Sequence, residues 1–278
     1  MTLRTAVLQM TSGIDPDANA ATIEQAIARA AEGGARLFCT PEMSNLIDRD
    51  RDRAASHIVA EQDDPFLARI RAAATRHGMW VLLGSIAVRH EQSPDKYANR
   101  SLLIDDSGNI RARYDKMHLF DVDLPTGESW RESNAYIGGQ SAIVGETPWG
   151  GIGLSICYDI RFPALFQALS GAGATILSIP AAFTVPTGRA HWETLLKARA
   201  IENACFVIAA AQTGKHEDGR DTWGHSLVID PWGEILLELD EDAGLGLVDL
   251  PLERIRDVRA RVPVLDHRRV IPTAEGAR

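Results

Sequence analysis

The sequence predicts an α/β fold in which sheets and helices form layers. Two observations support this prediction: helical and strand patterns alternate along the 278 residues, and about a dozen segments have strand character. No low-complexity linker or internal repeat interrupts the alternation. We therefore predict a single domain over residues 1–278.

Cap and turn residues delimit the first elements. Residues 5–10 form an apolar strand pattern, and Pro16 then lies in the first turn of a helix, a position that proline favours. Apolar residues keep helical spacing up to Gly33, which ends the helix. The elements predicted next are a strand at 36–40, a helix at 65–77, a strand at 80–84 and a hairpin of strands at 97–104 and 110–115.

The second half repeats the alternation and then becomes rich in strands. A turn at Pro231-Trp232-Gly233 separates two of the late strands. The predicted strands are 151–156, 174–179, 205–211, 224–230, 234–239 and 245–249, and the predicted helices are 162–171, 190–203 and 251–260.

Whole-chain composition argues against several classes of protein. The net charge is −9, whereas a nucleic-acid-binding protein needs a basic face. Cys39, Cys157 and Cys205 are odd in number and widely spaced, which predicts free thiols in a reducing compartment. No secretory signal and no apolar run of about 18 residues is visible. We expect a cytoplasmic protein without a nucleic-acid or membrane partner.

Three side chains capable of chemistry each follow a predicted strand. Cys157 lies at a strand-to-helix turn, Glu42 follows Pro41 after a strand, and Lys116 ends the hairpin. Taken singly, each has an ordinary alternative: a buried thiol, a solvated carboxylate and a surface lysine. Ligands bind at the carboxyl ends of strands in α/β sheets, so we expect the three side chains to converge there. A thiol, a base and a cation together suffice for covalent acyl transfer.

The segments around these residues resemble the carbon–nitrogen hydrolase (nitrilase) superfamily. The matching motifs occur in the family's order and the resemblance covers nearly the whole chain. They are Pro41-Glu42-Met43, Tyr114-Asp115-Lys116-Met117-His118-Leu119 and Ile156-Cys157-Tyr158-Asp159-Ile160-Arg161-Phe162-Pro163. The resemblance implies a four-layer α-β-β-α sandwich with two mixed six-stranded sheets.

The resemblance also implies catalytic roles. Cys157 would be the nucleophile, Glu42 the general base, and Lys116 with the backbone N–H of Tyr158 the oxyanion donors. Glu132 matches a second glutamate of the family, which positions the amide or tunes the lysine. No metal or organic cofactor is implied, and the expected partners are a small amide substrate and water.

Further segments point to a branch of the family. Residues 181–193 resemble the substrate loop of deaminated-glutathione amidases and ω-amidases, and residues 209–214, 223–226 and 264–269 resemble the former more closely. The implied function is hydrolysis of a terminal carboxamide of a small anionic substrate to an acid and ammonia through a cysteine thioester, with deaminated glutathione as the substrate.

Four residues are the expected substrate contacts. By resemblance, Phe183, Thr184 and Thr187 line the pocket. Arg161 would pair with a substrate carboxylate, with a structural ion pair to Asp159 or Glu132 as the alternative.

Members of the family form dimers or larger oligomers, so we expect a homo-oligomer. The C-terminal tail, about residues 251–278, contains a basic segment at 253–269 that resembles segments reaching across subunits. A solvated charged face is the alternative reading of this segment.

Other functions remain open at this stage. The same three residues would serve an ω-amidase acting on α-ketoglutaramate or α-ketosuccinamate, an N-carbamoyl amino-acid hydrolase or a nitrilase. A catalytically silent binding protein and a redox-sensing thiol are alternatives of different classes.

Overall fold

The structure is a computed structural model that describes residues 1–93, 95–123, 127 and 129–272. Two six-stranded sheets dominate it. The strands are β1 Thr2–Gln9, β2 Leu37–Cys39, β3 Trp80–Arg89, β4 Tyr97–Ile104, β5 Ile110–Asp115, β6 Asp121–Asp123, β7 Ser129–Arg131, β8 Ile143–Thr147, β9 Gly150–Leu154, β10 Ala174–Ser178, β11 Phe206–Ala209, β12 Thr213–Lys215, β13 Asp221–Trp223, β14 Leu227–Ile229, β15 Ile235–Glu238 and β16 Gly244–Pro251. The α-helices are α1 Pro16–Glu32, α2 Arg51–Ala55, α3 Pro65–His77, α4 Pro163–Gly171, α5 Val185–Asn203 and α6 Glu253–Arg261.

The two large sheets have matching topologies. The first has the strand order β16-β1-β2-β3-β4-β5 and the second β15-β14-β11-β10-β9-β8. In each, three consecutive strands are parallel to one another, and every other strand is antiparallel to the strand it pairs with. Both sheets are therefore mixed, as the sequence predicts. Two small hairpins, β6-β7 and β12-β13, lie apart from them.

Side-chain alternation along the strands creates the layers. In the first sheet Val7, Leu37 and Leu82 join one apolar cluster with residues of the second sheet, while Phe38 and Val81 join another with residues of α1 and α3. Successive side chains of a strand point to opposite faces, so one sheet can cover both a helix layer and its neighbouring sheet. The inter-sheet cluster continues to α4 and α5 through Phe166 and Leu196, which completes the α-β-β-α sandwich.

Local signals explain where several helices begin. Asp15 accepts a hydrogen bond from the N–H of Asp17 at the start of α1, and Asp64 caps α3 through the N–H groups of Phe66 and Leu67. Helix α5 begins at Val185 rather than near residue 190, because Pro186 occupies its first turn. The start of α5 therefore lies within residues 181–193, the segment that the sequence analysis expected to be a substrate loop.

The strand ends that carry the candidate residues approach each other closely. A Cβ at Gly84 in β3 would be 2.0 Å from the carbonyl oxygen of Thr40 and 2.6 Å from Cβ of Pro180. Glycine is therefore required where the chain before Glu42 meets the loop after β10. This contact brings the edges of the two sheets together at the candidate site.

The α6 helix and the residues after it form the C-terminal segment. Helix α6 packs through Ile255 and Val258, and Arg268 donates hydrogen bonds to Gln167 and Asn203. Residues up to 272 of the predicted tail are described, and 273–278 lie outside the described residues. Within the described part of the chain, no helix has the length and apolar character needed to span a membrane.

Candidate active site

Glu42, Lys116 and Cys157 line one cavity of about 440 Å³. They follow β2, β5 and β9, so strands of both large sheets end at this cavity. All three residues are buried. The convergence predicted from the strand ends is therefore present.

Both oxygens of the Glu42 carboxylate accept hydrogen bonds. Its Oε1 atom lies 2.9 Å from Nζ of Lys116 and 2.9 Å from Nδ2 of Asn99. Its Oε2 atom accepts from the N–H of Ala182 at 2.8 Å. These contacts hold the carboxylate in one orientation between the two sheets.

The Lys116 ammonium lies between two carboxylates. Its Nζ atom is 2.9 Å from Oε1 of Glu42 and 2.9 Å from Oε2 of Glu132. Glu132 also accepts from the backbone N–H of Phe120 at 2.7 Å. The side chain of Lys116 is only 3% exposed, so the two carboxylates replace the water that an ammonium needs.

Asn99 is a member of the site that the sequence did not identify. It lies in β4, and its Nδ2 donates to Glu42 at 2.9 Å and to Glu132 at 3.2 Å. Arg100 and Ser101 follow it in the same strand, so its polar side chain was not a distinctive signal in the sequence. The amide thus bridges the same two carboxylates that Lys116 bridges.

Cys157 begins a 3-10 turn, Cys157–Arg161, directly after β9. Its φ is +50°, in the left-handed region that residues other than glycine rarely adopt. Its backbone N–H donates to the carbonyl of Pro180 at 2.8 Å. The strained turn directs the thiol into the cavity beside Glu42, in the manner of a nucleophile elbow.

Asp159 connects the cysteine turn to the lysine segment. Its buried carboxylate accepts from the N–H of Ile156 at 2.9 Å and from the hydroxyl of Tyr114 at 2.7 Å. It also contacts the backbone N–H and the ring Nδ1 of His118 at 3.0 and 2.7 Å. Tyr114 and His118 flank Lys116 in the chain, so this carboxylate fixes the lysine segment relative to Cys157.

The charges within the cavity shift one another's pKa values. Burial opposes ionisation of Glu42, but the Lys116 ammonium and the hydrogen bonds to the carboxylate outweigh it, so the pKa of Glu42 is lowered. Burial likewise opposes the charge on Lys116, but Glu132 and Glu42 raise its pKa well above the ordinary value. Both groups are therefore charged at neutral pH.

The thiol behaves differently. Burial and the negative charge of Glu42 raise the pKa of Cys157 well above its ordinary value, and Lys116 offsets this only in part. The resting site thus holds a neutral thiol beside a carboxylate, rather than a preformed thiolate. Such a pair can transfer the proton from sulfur to carboxylate as the sulfur attacks an electrophile.

The remaining predicted contacts divide into two groups. Tyr158, Phe183, Thr184 and Thr187 line the cavity. Within the described residues the backbone N–H of Tyr158 donates no hydrogen bond to the protein, so it remains available to a ligand in the cavity. Thr184 and Thr187 are joined through their hydroxyls at 2.8 Å.

Arg161 does not line the cavity. Its guanidinium lies 5.5 Å from the ring centroid of Phe183, and Nη2 is 3.3 Å from Nδ1 of His191. Among the described residues, the alternative ion pair of Arg161 with Asp159 or Glu132 is also absent, because His118 and Lys116 contact those carboxylates. The arginine instead packs against the rings of Phe183 and Tyr158, which themselves line the cavity.

Other cations line the cavity in its place. Arg49, Arg51, Arg131 and Arg220 do so together with Trp130. Trp130 belongs to the β6-β7 hairpin, which the sequence pattern did not reveal. Because three separate segments, 49–51, 130–131 and the one around Arg220, supply these residues, no local motif could identify them. In the described residues, no group of three or more His, Cys, Asp or Glu side chains is arranged to hold a metal ion.

Comparison with known proteins finds a family match over most of the chain. Residues 4–260 match the family model described as carbon-nitrogen hydrolase. The deaminated glutathione amidase of Yersinia enterocolitica is 42% identical over 267 residues, which cover 96% of this chain and 93% of that protein.

Two solved structures share the fold. The Caenorhabditis elegans NitFhit protein has a TM-score of 0.89 and 38% identity; the match covers 96% of this chain, which spans 65% of that longer protein. An amidase from Nesterenkonia sp. AN1 has a TM-score of 0.77 and 30% identity over 94% of this chain and 98% of that one. In that structure acrylamide has added to the active-site cysteine.

Replacement of Lys116 by methionine tests the buried ion pairs. Lys116→Met leaves Glu42 and Glu132 without a cation, so we expect the free energy of unfolding to fall by about 3–5 kcal/mol at pH 7. The uncompensated carboxylates acquire raised pKa values in the folded variant, and the loss therefore shrinks as pH falls towards about 5 and one of them is protonated. Urea denaturation at several pH values measures both effects.

Lys197→Met is the matched control. Lys197 pairs with Glu193 on the surface of α5 at 2.6 Å, and its loss should change stability by less than about 0.5 kcal/mol. A loss below about 1 kcal/mol for Lys116→Met would contradict the stabilising role of the network.

Proposed function

The chain belongs to the carbon–nitrogen hydrolase family, and from that premise we propose that it is an amidase acting on deaminated glutathione with Cys157 as its nucleophile. The hydrolase class follows from the family, and amidases of about 40% identity match nearly the whole chain. The observation that supports the assigned residues is the buried set of a thiol, two carboxylates and an ammonium in one cavity.

The first half of the reaction forms a thioester. Glu42 takes the proton of the Cys157 thiol as the sulfur attacks the amide carbon. The Lys116 ammonium and the N–H of Tyr158 stabilise the negative charge that develops on the carbonyl oxygen. The carbon–nitrogen bond then breaks, and the departing amine takes the proton from Glu42.

The second half releases the acid. Glu42 removes a proton from water as its oxygen attacks the thioester carbon, and the same donors stabilise the second oxyanion. The carbon–sulfur bond breaks, and the sulfur regains a proton from Glu42. Glu132 keeps Lys116 charged and oriented through both steps, because it shares the ammonium with Glu42.

The substrate determines what amine is released. In deaminated glutathione the cleaved bond joins a 2-oxoglutaryl group to cysteine, so the products are 2-oxoglutarate and cysteinylglycine. Release of ammonia from a terminal carboxamide, the product expected from the sequence, applies to the ω-amide alternatives. The cavity of about 440 Å³ has the size of a typical small-molecule site.

The working form of the enzyme is a homo-oligomer in the cytoplasm. Its three cysteines are free, which suits a reducing compartment. Ile201 and Trp232 are each about half exposed, and Cβ at Gly233 would be 2.7 Å from Ile201, so the two apolar side chains share one surface. Such a surface is typical of subunit contacts.

Product analysis tests the function. Purified protein should convert deaminated glutathione to 2-oxoglutarate and cysteinylglycine, and Cys157→Ala should lower the rate at least about 10⁴-fold, because no other nucleophile replaces the sulfur. Cys205→Ala, which removes a buried thiol outside the cavity, is the control and should retain activity.

Other products would redirect the assignment. Faster release of ammonia from α-ketoglutaramate would identify an ω-amidase, and carbon dioxide from an N-carbamoyl amino acid would identify a carbamoyl hydrolase. Ammonia from a nitrile would identify a nitrilase. No product from any of these substrates would leave a catalytically silent binding protein.

The pH dependence of kcat/KM tests the protonation states. The pKa of Glu42 is lowered, whereas those of Cys157 and Lys116 are raised, so none of the three changes charge near neutrality. We expect kcat/KM to vary less than about twofold between about pH 6 and 8.5. S-methylated deaminated glutathione removes the substrate thiol's own titration. An inflection within this range would argue for a preformed thiolate or for a different base.

Light scattering tests the oligomer. The 30.3 kDa chain should have a solution mass of at least twice that value at micromolar concentration. A monomeric mass with full activity would contradict the proposed assembly.

A further inference from the structure

Two arginines stack against one tryptophan in the wall of the cavity. Cζ of Arg49 lies 4.8 Å from the ring centroid of Trp130, and Cζ of Arg220 lies 5.2 Å from the same centroid. The two distances set an upper limit of 10.0 Å between the guanidinium carbons. All three residues line the cavity that contains Cys157. Two positive charges are therefore concentrated at one place in the substrate cavity.

Among the described residues, a carboxylate pairs with one of these two arginines and none pairs with the other. Arg220 donates from Nε to Asp218 at 2.7 Å, and its terminal nitrogens have no protein acceptor in the described residues. Asp48, which precedes Arg49 in the chain, is paired with Arg53 at 2.6 Å. Among the residues that the structure describes, no carboxylate forms an ion pair with Arg49.

The chemistry of this pair favours a carboxylate ligand. A guanidinium presents parallel N–H donors that match the two oxygens of a carboxylate. Stacking on the indole restricts the orientation of each guanidinium before a ligand binds. Lys116 is already shared by two carboxylates, and Arg161 does not line the cavity. Neither therefore offers a substrate anion comparable donors.

The position of the pair indicates which end of the substrate it contacts. Arg49 is exposed, whereas Cys157, Glu42 and Lys116 are buried, so the arginine lies at the solvent end of the cavity. The amine must depart and water must enter while the acyl group stays bonded to the sulfur. The amine side of the substrate therefore faces the solvent end.

We propose that Arg49 and Arg220, stacked on Trp130, bind a carboxylate carried by the leaving amine. This inference rests on the proposed function and extends it to the leaving-group side. In deaminated glutathione the ligand is the glycine carboxylate of cysteinylglycine. An extended dipeptide spans about 7 Å, so this carboxylate lies away from the scissile bond. The site would thus distinguish peptide amides from amides that release only ammonia.

The test pairs one variant with one substrate analogue. Arg49→Gln should raise KM for deaminated glutathione about 10- to 100-fold and change kcat less than about threefold, because the lost contact is present in both ground and transition states. An analogue of deaminated glutathione, with its glycine carboxylate converted to the amide, should have a KM that is higher by a similar factor with the wild-type enzyme. The variant should cause no further loss with this analogue.

Two further variants serve as controls. Arg49→Lys keeps the charge but not the planar fork, and should recover part of the affinity. Arg256→Gln removes an arginine that is 85% exposed on α6, and should leave KM unchanged. Thermal unfolding of each variant checks that it is folded, and the analogue tests the subsite without any substitution.

The outcomes separate this inference from the proposed function. An equal loss with both substrates would place Arg49 on the acyl side and overturn the proposal. If the wild-type enzyme is active and Arg49→Gln has the same KM as the wild type, the subsite proposal is overturned but the proposed function is not. If the unchanged enzyme cleaves neither substrate, the proposed function fails, and the leaving-group subsite fails with it.

Discussion

The structure of the site depends on one interaction, the Lys116 ammonium held between the carboxylates of Glu42 and Glu132. An ammonium or a carboxylate alone would be very unfavourable at this depth, and their mutual proximity compensates for the water that each loses on burial. The charged lysine in turn keeps Glu42 ionised and able to accept a proton. Burial and the negative charge of Glu42 keep the thiol neutral until it reacts, although Lys116 partly opposes this effect.

This network requires that two sheets meet with little freedom. Glu42 and Lys116 come from the first sheet and Cys157 from the second. Asp159 links the cysteine turn to Tyr114 and His118, which flank Lys116. Gly84 permits the strand ends to approach each other. The positive φ of Cys157 is tolerated because these contacts determine the turn from several sides. The fold thus supplies the alignment on which catalysis depends.

The cavity contains two kinds of cation, which lie at different depths. Its interior contains a lysine whose charge is already balanced, and its solvent end contains arginines that are stacked on Trp130 and less completely paired. The inner cation suits a charge that appears only during the reaction, whereas the outer cations suit a charge that the substrate carries throughout. A division of this kind allows binding and rate to be tuned by different residues.

The sequence by itself determined the order of most elements, the layered α/β class and the convergence of Glu42, Lys116 and Cys157. Apolar periodicity, proline and glycine positions and short motifs are local properties, so a single chain reveals them. The small β6-β7 hairpin and the early start of α5 were not predicted, because short strands and the first turn of a helix have weak local signals.

Only the tertiary structure decided which residues complete the site. Asn99 bridges two carboxylates that lie 57 and 33 positions from it in the chain. Arg161, close to Cys157 in sequence, packs against the ring of Phe183, whereas Arg49 and Arg220 line the cavity from distant segments. Contacts of this type depend on how sheets and hairpins pack against one another, and that packing is set by the burial of the whole chain rather than by any local pattern.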